Sequence, residues 1–487
     1  MKFLYNYVKT RSLHIKAQAF DQSAEVVNRN NLYKLLGFKL IILTGLLIDN
    51  TTFAIETIKI NKGHHDPIPI ALQVPKITYI EDERVAKEVF SIVQTDLEHS
   101  GGFKILPRES FVDKITGIDY MPNFQAWQII NAQFLLNSEI QVRNRSEILI
   151  KLVLYDVVSQ RVFAQKVYES SMKNLRKLSH IVSNFLYEKT TGNKGYFNSK
   201  LAYVDANYRN GKRVTRIAVM DYDGYNLTYV TNGKNLVLTP RFSKDGSNLA
   251  YVSFVQKVPR VVVKNLYSGK ESFATDLKAM SSAPRFAPDG KKMLITISER
   301  GRSNIFEVDL FSHKYTQLTN NQYINTSSTY NHNGNRIYFN SDMAGKINIY
   351  SSDRSGVGSY KIGQGGGNYF TPIESPNGDY VAATKVEGGQ FSIVVMNPDG
   401  SGERKITEGF LVESPSFAPN SNLIAFTKEE KSRIESSKNK KILVNASYIY
   451  AIDVTGRYMR KINTPGFGFD PEWSCDLSDQ PDFWKHP

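Results

Sequence analysis

The chain has 487 residues, 61 Lys+Arg against 47 Asp+Glu for a formal net charge of +14, and one cysteine. Its length exceeds the roughly 100–200 residues of one domain, so several units or a repeat array are expected; 41% hydrophobic with 22% charged residues is a globular composition. One cysteine excludes an intramolecular disulfide framework and a zinc cluster built on cysteines, while the positive surplus opens the question of an anionic partner such as nucleic acid or a membrane surface.

The first element is an apolar core at residues 40–48, with Lys34 and Lys39 before it and Thr52-Phe53-Ala54 after it. Nine residues are too few for the roughly 20 that span a bilayer as a helix. Positive charge, a short apolar core and a small-residue exit make a signal peptide, here predicted over residues 1–54 with cleavage after Ala54. The 31-residue lead before Leu32 is long for such a leader. Removal of residues 1–54 leaves about +10 on the exported chain, and export takes away most reason to expect nucleic acid.

Residues 55–197 read as a small α/β (α+β) domain. Residues 68–74, 132–136, 148–156 and 161–169 have strand character. Residues 83–98 carry Val85, Val89, Ile92, Val93 and Leu97 at amphipathic helical spacing. Residues 175–188 repeat that spacing and break at Thr190-Thr-Gly192-Asn-Lys-Gly195. The adjacent pair His64-His65 reads as solvated linker.

From residue 198 onward the chain repeats itself. Pro240-Arg-Phe242-Ser-Lys-Asp-Gly246 returns as Pro284-Arg-Phe286-Ala-Pro-Asp-Gly290, then as Ser328-Thr-Tyr330-Asn-His-Asn-Gly334. Further copies begin at Pro372, Pro415 and Pro471; the starts lie 44, 44, 44, 43 and 56 residues apart, the last gap stretched by a charged insertion at residues 428–441. Inside each copy a second Asp/Asn-initiated turn, such as Asp221-Tyr-Asp-Gly224 or Asn397-Pro-Asp-Gly400, separates two short apolar runs. Asn-Gly and Asp-Gly between such runs are hairpin signals, because Gly takes positive φ without penalty. Four short strands per unit of about 40–45 residues make a propeller blade. The first copy lacks its Pro-x-aromatic strand and the last has only that strand. Pairing residues 471–474 with residues 201–204 therefore closes a six-bladed all-β propeller over residues 198–487 and removes its open edge.

Catalytic motifs are scarce. No Gly-x-Ser-x-Gly elbow and no His-Glu-x-x-His occurs. Gly365-Gly-Gly367 precedes a strand and does not open a helix, so it does not cradle a phosphate. No cofactor or metal is expected. Acids such as Asp223 or Glu374 could gather in the central tunnel and support an alternative ligand-binding or hydrolytic role. His180 reads as a structural histidine at the domain junction.

The junction carries a resemblance. Asn174-Leu-Arg-Lys-Leu-Ser-His180, then Leu186-Tyr-Glu-Lys-Thr-Thr-Gly192-Asn-Lys-Gly195-Tyr-Phe, then Leu201-Ala-Tyr-Val204, is similar to the TolB family of the Tol-Pal system, as are the Pro-x-Phe-Ser-Pro-Asp-Gly blades. The resemblance covers residues 55–487. It implies a periplasmic, non-catalytic, monomeric interaction hub, peripheral to membranes, that supports outer-membrane integrity and invagination during cell division. It further implies that the lipoprotein Pal binds one propeller face, at loops entering the innermost strands. Here these positions are Met280, Ser282, Ala283, Asn325, Thr326, Ser327, Tyr369, Phe370, Val412 and Glu413; the family often has His where Met280 stands. The inner-membrane protein TolA would contact the mature N-terminus, namely Ile55, Glu56, Thr57, Ile58, Lys59, Ile60, Asn61 and Lys62.

Overall fold

The computed structural model describes residues 66–113, 117–209, 212–255, 257–275, 277, 279–435 and 441–479. The expected leader, its cleavage point, His64-His65 and the TolA-contacting segment lie outside these residues.

The first domain is a mixed sheet with helices on both faces. Strands β1 (Ile68–Leu72), β2 (Lys76–Ile77), β3 (Phe103–Ile105), β4 (Phe134–Arg143), β5 (Glu147–Asp156) and β6 (Arg161–Ser171) follow the order β3-β1-β4-β5-β6, with β2 added beside β4. β1 is parallel to β3 and β4, while β4, β5 and β6 run antiparallel. Helices α1 (Glu83–His99) and α3 (Leu175–Thr191) pack Val85, Val89, Val93, Leu178, Val182 and Leu186 onto Ile70, Leu72, Ile148 and Ile150 of one sheet face. The other face buries Leu135, Val153 and Tyr155 against Trp127 of the short α2 (Phe124–Ile129), an element the sequence reading did not contain.

α3 ends because Gly192 adopts φ +72° after the last turn, the usual left-handed helix stop. The segment that follows is no loose linker: Tyr196 and Phe197 are fully buried. Gly195 is needed there because a Cβ would lie 2.2 Å from Asn184 Oδ1, the oxygen that accepts the Phe197 amide at 2.9 Å.

The rest is a six-bladed propeller of four-stranded antiparallel blades. Their innermost strands, blades one to six, are Phe467–Trp473, Val237–Phe242, Met280–Phe286, Asn325–Tyr330, Asn368–Glu374 and Val412–Phe417. Blade one is completed by the C-terminal strand, with Trp473 opposite Leu201, as expected. Each blade buries a layer of apolar side chains against its neighbour, for example Val204, Val219, Leu249 and Tyr251 between blades one and two.

Every innermost strand is interrupted by a bulge at a non-glycine residue with positive φ: Thr239 (50°), Ala283 (49°), Ser327 (53°), Thr371 (49°), Ser414 (58°) and Asp470 (55°). A left-handed residue with a Cβ costs roughly 1–2 kcal/mol. It persists where the surroundings over-determine it. Here the preceding blade catches the amide: Thr371 N–H donates to Asn340 Oδ1 (2.9 Å), Ser414 to Thr384 Oγ1 (3.2 Å) and Asp470 to Thr427 Oγ1 (2.8 Å).

Candidate partner-binding face and domain junction

Antiparallel order gives the propeller two chemically different ends. Each innermost strand starts at one end, here the mouth, beside the hairpin joining the second and third strands of its blade; Met280 faces Ser298 and Val412 faces Lys428. The opposite end holds the Asp/Asn turns, and there the first domain docks. Arg176 of α3 pairs with Asp221 (3.2 Å) and Asp223, Tyr222 O–H donates to Asp96 of α1 (2.5 Å), and Tyr458 O–H donates to the Glu98 carbonyl (3.0 Å).

The ten expected Pal-facing positions all lie at the mouth, yet inside the first halves of the innermost strands and not in loops. Asn325, Tyr369 and Val412 are fully buried. Strand pairing and the incoming loop cover them; the Gly365 amide of that loop, for instance, donates to the Tyr369 hydroxyl at 3.0 Å. Their side chains therefore form the floor of the mouth. Ser282, Ala283, Thr326, Ser327, Phe370 and Glu413 are half-buried, and Met280 is 49% exposed. Two residues absent from the sequence reading join Met280 at the surface: Leu236 (46% exposed), just before blade two, and Phe410 (72% exposed), just before blade six. Their signal in the sequence is an apolar residue in the short loop ahead of a Pro-x-aromatic strand.

The two acids of the alternative tunnel reading do not gather there. Asp223 belongs to the domain junction. Glu374 stands at the aromatic position of its repeat, where it accepts the Tyr338 hydroxyl (2.9 Å) and pairs with His332 (2.9 Å) between two blades. Facing the axis is instead the middle residue of Pro-x-aromatic. Arg285 Nη1 reaches Glu472 Oε1 at 2.7 Å from blade three to blade one, which are not adjacent. Arg241 joins them through Asp470 (3.1 Å) and Glu472 (3.7 Å), and Ser416 O–H donates to Glu472 (3.4 Å). Burial, with Arg241 alongside, brings Arg285 down to about 10 despite Glu472. Burial opposes the charge on Arg241 too, but Asp470 and Glu472 outweigh it and hold its pKa above the ordinary value. Two arginines and two carboxylates thus close the tunnel at this level with their charges balanced.

The junction carries the densest polar chemistry. Asp96, fully buried, accepts His180 Nδ1–H at Oδ2 (2.8 Å) and the Tyr222 hydroxyl at Oδ1 (2.5 Å). Burial alone would lower the pKa of His180, but the charge and hydrogen bond of Asp96, with Asp223 behind, raise it above the ordinary value. Asp223 is raised, by burial first and by Asp221 and Asp96, against His180 and Arg176. Asp221 is lowered because Lys200 (2.6 Å), His180 and Arg176 outweigh its burial. Asp96, His180 and Asp223 could together offer three ligands to a metal, but Asp96 already spends both oxygens on His180 and Tyr222, and Asp223 is held by Arg176. The set is an interdomain latch in its chemistry. Asp96 was legible as a carboxylate on the apolar stripe of residues 83–98, next to Val93 and Leu97.

Comparison with known proteins agrees with this architecture. Residues 56–163 match the TolB amino-terminal domain and residues 187–477 the TolB beta propeller domain. The chain is 42% identical over 439 residues to the Tol-Pal system protein TolB of Rickettsia bellii (strain OSU 85-389), covering 88% of this chain and 97% of that one. It is 40% identical over 444 residues to that of Rickettsia felis, covering 89% and 98%. The crystal structure of TolB from Acinetobacter baumannii shares the fold, with a TM-score of 0.75 at 24% identity over 84% of this chain and 97% of that chain. The chain belongs to the TolB family of Tol-Pal system proteins.

Proposed function

We propose that the chain is a periplasmic, non-catalytic hub of the Tol-Pal complex, which binds the lipoprotein Pal at the propeller mouth and TolA through residues 55–62. Through these contacts it supports outer-membrane integrity and invagination at division. The observation that carries the Pal part is the location of Leu236, Met280 and Phe410: exposed apolar side chains at the entries of three innermost strands, on the end not occupied by the first domain. Scattered apolar residues need no explanation, but a set rimming one opening fits a protein interface. Export and cleavage after Ala54 complete the reading. Among the described residues no helix is long and apolar enough to cross a membrane.

The test is capture from envelope extract on the immobilised exported chain. Pal and TolA should both be recovered. Met280→Asp with Phe410→Asp should lose Pal and keep TolA, whereas deletion of residues 55–62 should do the reverse. Recovery of neither protein by the unaltered chain refutes the proposal.

A further inference from the structure

The turns between the third and fourth strands of the blades lie at the docking end, and they are not alike. In blades two to four a side-chain oxygen holds the turn: Asn265 accepts the Ser268 amide (2.9 Å), Asp309 the Ser312 amide (2.8 Å) and Asp353 the Val357 amide (2.9 Å). In blades one and six the tip of the turn serves the first domain. The Tyr225 ring centre lies 4.0 Å from the Arg176 guanidinium, and Tyr458 donates to the Glu98 carbonyl. Blades three and four stand opposite those two in the ring, with blade two beside them. There Phe311 is 95% exposed, Val357 66% and Tyr267 about half. Blade five carries Pro398 at this place.

The three tips keep similar company. Tyr315 and Tyr360 open the outermost strands of blades three and four and are about half-exposed. Lys270, Lys314 and Lys361, all exposed, lie within four residues of a tip. The turns at this end of blades two to four (243–248, 265–271, 287–292, 309–315, 331–336 and 353–361) hold eight Lys/Arg against five Asp/Glu, a net +3. Asp309 and Asp353 are turned onto their own turn amides, while a lysine stem carries its ammonium outward. A side chain as exposed as Phe311 sits in no groove, and neighbouring tips are a whole blade apart. A fluid surface receives such tips together, where a rigid partner needs a matching socket for each. Apolar and tyrosine side chains flanked by lysine complement an anionic bilayer surface, with rings at the headgroup level and ammoniums on phosphates.

We infer that the docking-end rim of blades two to four is a membrane-contact surface that rests on anionic phospholipid, with Phe311 as its most deeply inserted side chain. The inference is independent of the mouth and of Pal. Flotation of residues 55–487 with vesicles of phosphatidylcholine, alone or mixed with an equal part of phosphatidylglycerol, tests it. The chain should float with the anionic vesicles only, and less so as salt rises. F311D with V357D should weaken partitioning about tenfold at unchanged Tm, since both side chains are exposed. K270Q with K314Q and K361Q should weaken it at least tenfold, each lysine near an anionic surface contributing roughly a fivefold factor. Both variants should capture Pal as the unaltered chain does, which separates the rim from the mouth. Failure of the unaltered chain to float, or flotation unchanged in either variant, overturns the inference. A chain that does not float but self-associates in sedimentation velocity, and loses this with F311D and V357D, overturns it in favour of a contact between copies.

Discussion

Replacing Asp96 with Asn tests the junction directly. The carboxylate is fully buried and its two oxygens serve one residue of its own domain, His180, and one of the propeller, Tyr222. The amide keeps the shape but offers one acceptor where two are needed and turns a donor toward a second donor. Removing one member of a buried charge pair costs about 3–5 kcal/mol, and a hydrogen bond to a charged group contributes roughly 1.5–3 kcal/mol. For this near-isosteric change we expect about 3 kcal/mol, or about 6 °C in Tm at roughly 2 °C per kcal/mol for a chain of this size. The pH profile is the sharper readout. His180 is raised in the fold, so its contribution is complete below the unfolded value of about 6.5 and is lost as pH rises through the native value. Between the two values stability should fall by about 1.4 kcal/mol per pH unit. Thermal unfolding of residues 55–487 from pH 5.5 to 9 should show this alkaline slope, and D96N should flatten it by removing the main cause of the raised pKa. Tyr222→Phe removes only the other hydrogen bond and should lower Tm while keeping the slope. A D96N chain with the wild-type Tm and slope would refute the latch.

Gly195→Ala should destabilise the junction by about 2 kcal/mol or more, since the added Cβ meets Asn184 Oδ1 at 2.2 Å and displaces the acceptor of the Phe197 amide; urea unfolding with an unchanged m-value checks it. Trp473→Ala removes a buried indole that donates to Ser199 Oγ at 2.6 Å. A loss of about 3–5 kcal/mol is expected, with limited proteolysis opening the chain in blade one before the other blades.

The repeat was legible because every blade needs a turn residue at the same two points and an alternating apolar layer between them; the period, the blade count and the closing strand follow from that. The first domain was legible where an apolar stripe ran long, as in α1 and α3, and not in the six-residue α2. Side-chain exposure at the mouth was another matter. Tyr369 and Phe370 are neighbours in one strand, yet the first is fully buried and the second is half-buried, because the incoming loop folds over one face, with Gly365 N–H donating to the Tyr369 hydroxyl. Asp223 and Glu374 misled for a related reason: acidity marks a residue that must be paired, but the partner comes from a different element. The junction histidine is legible because its helix places it on the buried side, whereas the sequence reading does not contain Asp96, a carboxylate whose partners come from another helix and another domain.

The closing strand Phe467–Trp473 ties these features together. Its bulge residue Asp470 is caught by Thr427 of blade six and paired with Arg241 of blade two; its Glu472 reaches Arg285 across the tunnel; its Trp473 meets Tyr196 of the junction at 6.0 Å and bonds Ser199. One seven-residue strand thus contacts both neighbouring blades, the axial charge cluster and the interdomain segment. It starts at the mouth and ends at the docking end. A partner seated on the mouth and the domain docked at the far end therefore share a covalent, strand-rigid element. Ring closure in this propeller fixes the position of the first domain as well as the sixfold ring, and a lesion in that strand should be felt at both ends.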